Sequence, residues 1–231
     1  VSKKLLKEAP VVLMAYDLLE WGGEDIRQRP MYERRALLER LVAEHDTQGI
    51  FILSPVVSWT SWNELVTERT TARAKHSEGL MLKRKDSPYQ QGRKKGDWWK
   101  WKVDPLTIDA VMMYAQRGHG RRANLYTDFT FGVWDGDALV PFTKAYSGLT
   151  DKEFNRITNW VRRNTVERFG PVRSVKPHHV FEIGFEGIRK STRHKSGVAL
   201  RFPRMLRWRE DKPVGEANTK ADLLALLEEY G

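Results

Sequence analysis

Two lysines stand two residues apart in GDWWKWK, residues 96–102, among three tryptophans. On a strand, side chains alternate between faces, so Lys100 and Lys102 share one face with Trp98, while Trp99 and Trp101 take the other. Such a pair suits phosphate oxygens, each lysine acting as a point charge. The same pattern suits an edge strand, where lysine blocks unwanted pairing. Arg93, Lys94 and Lys95 add cations just upstream. In EGLMLKR, Glu78 opens an apolar strand; the two-residue repeat puts it on the face of Leu80 and Leu82, with Lys83 on the other. A carboxylate bordering a cleft there could hold Mg²⁺ directly or through water, and an exposed glutamate would look the same. LRFPRMLRWREDK spaces Arg201, Arg207 and Arg209 at two-residue multiples, with Arg204 offset after Pro203. That row could clamp phosphates or simply remain solvated. Tyr16, near the end of an apolar run, offers a ring that could cover a flat base or fill a core.

The elements that must carry these residues follow from patterning. VVLMAYDLLEW, nearly continuous in apolar residues around the internal acid Asp17, reads as a buried strand. Pro30 suits the first turn of a helix in MYERRALLERLVAEHD, whose Leu37, Leu38, Leu41 and Val42 line one face, away from Arg34, Arg35 and Arg40. IFILSPVVSW is strand-like, and Ser61 with Glu64 makes a capping-box pattern that opens a polar helix to about Lys75. EGLMLKRK and WWKWKVD read as short strands around the loop DSPYQQGRKKGD. From Leu106 the chain becomes short strands, with Asp-Gly in WDGDA marking a hairpin. One helix interrupts them, started by Thr150 and Glu153, and a last helix begins near Thr219. Strands with one inserted helix resemble a small Greek-key barrel such as an OB-fold.

The chain has 231 residues and a formal charge of +10, with a pI near 9.8, which makes a polyanion a plausible partner. It has no cysteine, so disulfides, thiol catalysis and zinc–thiolate sites are excluded. That usage fits a reducing cytoplasm. No apolar run approaches the roughly 18 residues of a membrane span, and no membrane partner is expected.

Taken in order, these segments resemble the ATP-dependent DNA ligases of the covalent nucleotidyltransferase superfamily, the bacterial single-chain type above all. AYDLLEWGGEDIRQRPMYERRALLE is similar to motif III with its C-terminal flank, and EGLMLKR to motif IV. WWKWK is similar to the W-x-K-x-K of motif V, and RFPRMLRWREDK to motif VI. The resemblance implies an α+β chain: residues 1–104 as the C-terminal portion of a nucleotidyltransferase (adenylation) domain with an ATP-grasp-like mixed sheet, 105–217 as an OB-fold β-barrel, and 218–231 as a C-terminal helix. It implies nick sealing through enzyme–AMP and DNA–adenylate intermediates, with ATP and Mg²⁺ (or Mn²⁺) as cofactors, nicked double-stranded DNA as partner, and roles in DNA repair, recombination and replication at the nucleoid. By position, Tyr16 would stack on adenine and Glu78 would support the metal. Lys100 and Lys102 would contact the α-phosphate, as would Arg93 or Lys94 the nucleotide. Arg209, Asp211 and Lys212 would orient the pyrophosphate, and Arg201, Arg204 and Arg207 would meet DNA.

The family's nucleophile is the lysine of K-x-D-G, and no lysine here begins that motif. No catalytic nucleophile is therefore assigned. The chain is expected to be the C-terminal part of a ligase that cannot adenylate itself and works with a missing N-terminal part of the same protein. A non-catalytic DNA-binding module derived from a ligase is the alternative.

Overall fold

The computed structural model describes residues 2–46, 48–75 and 77–231, in two compact units, Val1–Val103 and Asp104–Gly231. Unit 1 runs α1 (Lys3–Glu8), β1 (Leu13–Ala15), β2 (Glu20–Trp21), β3 (Glu24–Asp25), α2 (Met31–His45), β4 (Phe51–Leu53), α3 (Trp62–Thr70), β5 (Gly79–Lys83) and β6 (Trp98–Lys102). Among the described residues its strands pair two at a time: β1 with β4 in parallel, β2 with β3, and β5 with β6 antiparallel.

Pairing on so small a scale changes the reading of VVLMAYDLLEW. Rather than one continuous strand it holds two short ones, Leu13–Ala15 and Glu20–Trp21, and Val11 and Leu13 are 72% and 64% exposed rather than buried. Among the described residues β1 has β4 as its one strand neighbour, so its apolar faces have little to pack against. In α2 the expectation also shifts. Leu38 is buried as its pattern requires, but Arg34, one turn earlier, is buried beside it instead of facing away. Ser61 caps α3 by accepting from the Glu64 amide, and the Glu64 carboxylate accepts from the amide and hydroxyl of Thr60.

Unit 2 holds β7 (Leu106–Arg117), β8 (Tyr126–Asp135), β9 (Ala138–Ala145), α4 (Asp151–Asn164), β10 (Thr165–Phe169), β11 (Val172–Val175), β12 (Val180–Phe185), β13 (Gly187–Lys190), β14 (Val198–Arg201), β15 (Arg204–Trp208) and α5 (Lys220–Tyr230). The long β7 is its spine. It pairs with β12 through residues 106–111, with β11 through 114–116, and with β8 along the other edge. Register shifts at Met112/Tyr114 and Gln116/Arg117 bend it, as bulges do, so the seven-stranded sheet curls. Ile108, Ala110 and Met112 alternate into the core with Phe129, Phe131, Phe181, Ile183 and Met205. Helix α4 carries the full Thr150/Glu153 capping box and buries Phe154, Ile157 and Val161. Gly136, φ +61°, makes the β8–β9 turn that Asp-Gly predicts. The mixture of helix and sheet, with this curled sheet after residue 104, is a nucleotidyltransferase-type fold followed by an OB-fold. The β10–β11 hairpin was not anticipated from the sequence. Neither was the break at Phe202-Pro203 that separates β14 from β15.

Candidate active site

In unit 1 the antiparallel register of β5 and β6 sets Lys83 opposite Trp98, Met81 opposite Lys100, and Gly79 opposite Lys102. Cross-strand partners share a face. Met81, Lys83, Trp98, Lys100 and Lys102 therefore lie together, and Leu80, Leu82, Trp99 and Trp101 form the reverse. The reverse face is anchored by Trp101, whose ring meets Trp62 at 6.4 Å and the Arg69 guanidinium at 5.3 Å. Arg69 also donates to the Lys102 carbonyl at 2.5 Å, holding the strand end that carries the lysine.

Simple alternation puts Glu78 on the wrong side. Its carboxylate instead reaches Lys102 Nζ at 3.1 Å. The cause is Gly79, at φ +134°, a conformation that breaks the strand's alternation and that L side chains rarely adopt. A Cβ there would stand 2.2 Å from the Trp101 carbonyl oxygen. The motif IV acid and the motif V lysine are thus neighbours because a glycine stands between Glu78 and its strand.

Tyr16 lies just past β1 and is half exposed. Lys83 Nζ lies 4.5 Å from the centre of its ring and 4.2 Å from that of Trp98, a double cation–π arrangement. Burial pushes the Lys83 ammonium below its ordinary pKa, while Asp17 opposes that shift. A hydrogen bond with Tyr89 raises the Tyr16 phenol above its ordinary value. Beneath them sits Arg34, fully buried. Its Nε and Nη2 donate to the two Asp17 oxygens at 2.9 Å each, and Nη1 donates to the carbonyls of Arg29 and of Ser87, the latter at 3.1 Å. Ser87 Oγ in turn accepts from Trp98 Nε1 at 3.3 Å. One guanidinium therefore ties the Tyr16 segment to the Trp98 segment. Met81, Lys83 and Arg34 were not singled out as site residues from sequence. The available signal was Asp17, set inside the apolar part of VVLMAYDLLEW, since a buried acid needs a partner. Arg93 and Lys94 lie exposed in the β5–β6 connection.

In unit 2 the motif VI cations are already occupied. Arg204 meets Glu186 at 2.9 Å and Arg207 meets Glu182 at 3.5 Å. Arg209 Nη1 and Lys212 Nζ both reach Asp109 Oδ2, at 2.8 and 2.7 Å. Asp109 is the lone acid of the buried strand run TIDAV, and its other oxygen has no hydrogen-bond partner among the described residues. Asp211 chelates the Arg209 guanidinium, an interaction that lowers its own pKa to about 2 and raises that of Arg209. Arg156 pairs with Glu210 and lies over Trp208 at 4.5 Å. Arg201 stacks on Phe202 at 5.2 Å. Phe202 is 64% exposed and, at φ +51°, adopts a backbone that is a true outlier for a bulky residue. Burial, with His178 beside it, drops the His179 pKa to about 4.

Residues 1–102 match the family model of the ATP dependent DNA ligase domain, and residues 122–212 that of the ATP dependent DNA ligase C terminal region. A probable DNA ligase from Koribacter versatilis is 38% identical over 95% of this chain and 42% of its own length. A DNA ligase from Methanoculleus marisnigri is 34% identical over 98% of this chain and 40% of its own. The chain thus spans less than half the length of these relatives. A solved structure from work on Lig E DNA ligases superposes with a TM-score of 0.61 at 22% identity, covering 90% of this chain and 66% of that one. Among the described residues no helix is long and apolar enough to cross a membrane. Two successive ligase models over most of the chain, on a fold shared with solved ligases, make this chain a member of the ATP-dependent DNA ligase family.

Proposed function

We propose that this chain supplies the nucleotide-phosphate and leaving-group machinery of a ligase that seals nicks in duplex DNA. The observation that carries the reading is the ion pair of Glu78 with Lys102, on a face shared with Lys100 and Met81 and adjoining Tyr16 through Lys83. In the reaction, a lysine amine attacks the α-phosphorus of ATP and pyrophosphate leaves. A 5′-phosphate oxygen of the nick then attacks that phosphorus and releases the amine. Finally the 3′-hydroxyl attacks the 5′-phosphorus, AMP leaves and a phosphodiester forms. Each step builds negative charge on non-bridging oxygens. Lys100 and Lys102, held by a braced strand, neutralise it. Tyr16 and Met81 offer apolar surface to the adenine. Arg209 and Lys212 meet the pyrophosphate by exchanging Asp109 for phosphate oxygens.

Among the described residues no three metal-ligating side chains cluster. The chemistry of Glu78 suits a hard cation bound by one carboxylate, with water and substrate phosphates completing the shell, as Mg²⁺ commonly is. When bound, it would add positive charge at the same phosphate oxygens. The attacking lysine is assigned to a K-x-D-G segment outside this sequence. Incubation with ATP and Mg²⁺ should leave the intact mass of this chain unchanged, and adding a ligase segment that bears K-x-D-G should produce both an AMP adduct on that segment and sealing of nicked duplex. Lys100→Ala or Lys102→Ala should lower that sealing by about 100-fold or more, as loss of an oxyanion-type contact does. An adduct on the isolated chain, or undiminished sealing by the lysine variants, would refute the assignment.

A further inference from the structure

Residues 187–209 contain eight arginines and lysines and no aspartate or glutamate. Three of these cations, Arg204, Arg207 and Arg209, fold back onto Glu186, Glu182 and Asp109. Arg189, Lys190, Arg193 and Lys195 do not. All four are exposed, and among the described residues none has a side-chain hydrogen bond or ion pair.

The hairpin that carries them is firmly held. β13 and β14 pair from Gly187 opposite Arg201 to Lys190 opposite Val198. Ile188, Val198 and Leu200 belong to the barrel core, so the root is fixed. At the tip the Ser191 amide donates to the Gly197 carbonyl at 2.8 Å and the Gly197 amide to the His194 carbonyl at 2.9 Å. Gly197 supplies the positive φ, +81°, that this turn needs, and Ser196 is buried. Four like charges within seven residues repel one another, and no counter-charge among the described residues relieves them. A polyanion would. Residues 187–201 include no phenylalanine, tyrosine or tryptophan, the rings on which unstacked bases are bound. Cations without rings fit a phosphate backbone whose bases remain paired.

We infer that the β13–β14 hairpin is a contact surface for the sugar-phosphate backbone of duplex DNA, through Arg189, Lys190, Arg193 and Lys195. This rests on the reading of duplex DNA as partner. It moves the backbone contact away from Arg204 and Arg207, whose charges Glu186 and Glu182 already answer. The test is fluorescence anisotropy of a nicked duplex titrated with the full 231-residue chain at several salt concentrations. Wild-type affinity should fall steeply with salt. Replacing all four residues by alanine should reduce the slope of log K against log salt by up to about 3.6, at roughly 0.9 per phosphate neutralised. The tip pair alone, Arg193→Ala with Lys195→Ala, removes no core side chain and should reduce it by about 1.8. Arg189→Lys with Arg193→Lys should leave it unchanged, because counterion release counts charges. A four-residue or tip variant, folded by circular dichroism, that keeps the wild-type slope overturns the hairpin assignment and leaves the DNA reading standing. A wild-type chain with no salt-dependent duplex binding overturns both.

Discussion

The two compact units bury their apolar residues very differently. In Asp104–Gly231 the rings of Phe129, Phe131, Phe142, Phe154, Phe181 and Phe185 are all at most 2% exposed, interleaved across a curled sheet and one helix. In Val1–Val103 the buried hydrophobics are Ile26, Leu38, Leu65 and Ala72, whereas Val11, Leu13, Val56 and Trp62 are each at least 60% exposed. The largest fully buried side chain of unit 1 is Arg34. Unit 2 is thus held by an apolar core. Unit 1 is organised about a buried ion pair, beside apolar surface of the kind that marks interaction sites. A barrel can satisfy its strands internally; strands paired two at a time cannot.

Phe181→Ala, in the centre of the barrel, should cost about 3–5 kcal/mol. Chemical denaturation followed by the unit 2 tryptophans, Trp160 foremost, should report it in full. If unit 1 amides lost hydrogen-exchange protection to the same degree, the independence of the units would be wrong. Arg34→Leu leaves Asp17 buried without its partner, a loss of about 3–5 kcal/mol at most, and in unit 1 there is less stability to lose. Removing both charges with Asp17→Leu should recover much of it. A double variant as weak as the single one would deny that the ion pair organises this unit. Gly79→Ala must carry a positive φ and a backbone clash, costing about 1–3 kcal/mol from the dihedral alone. It should separate Glu78 from Lys102 and weaken ATP binding measured by calorimetry.

The smallest effect is on unit 2 and depends on pH. His179 has a folded pKa of about 4, below the ordinary 6.5, so its neutral form belongs to the folded state. Its contribution is complete above about pH 6.5 and is lost as the pH falls towards 4, because the unfolded chain then binds the proton more readily. Melting temperatures at pH 7 and 5 should differ less for His179→Leu than for the wild type. An equal acid shift in both would place the sensitivity elsewhere.

Much of this was legible in the residues. Alternation alone placed Lys100 and Lys102 on one face, and the β5–β6 register keeps them there. Asp-Gly marked the β8–β9 turn, and Thr150 with Glu153 marked the start of α4, because such signals act over two to four residues. Glu78 was misplaced because alternation assumes ordinary strand dihedrals, and Gly79 does not have them. VVLMAYDLLEW was misread as buried because apolarity says what a segment prefers, not whether a neighbour is there to cover it. The carboxylates that meet the arginine row were not legible for a related reason: Glu182 lies on β12 and Glu186 just past its end, next to β15 only once the sheet forms.

The sequence by itself determined the family, the order of its motifs, the curled β-rich second unit and the pair of motif V lysines. All of these depend on residue identity and short spacing. The tertiary structure decided which charges remain available. Asp109 claims Arg209 and Lys212 across a hundred residues of chain, and Arg34 claims Asp17 across seventeen. Coulomb attraction depends on distance in space, and in buried or half-buried places it dominates what a cation can still do. Only the folded chain reveals that the motif VI cations are held by carboxylates while those of the β13–β14 hairpin face solvent.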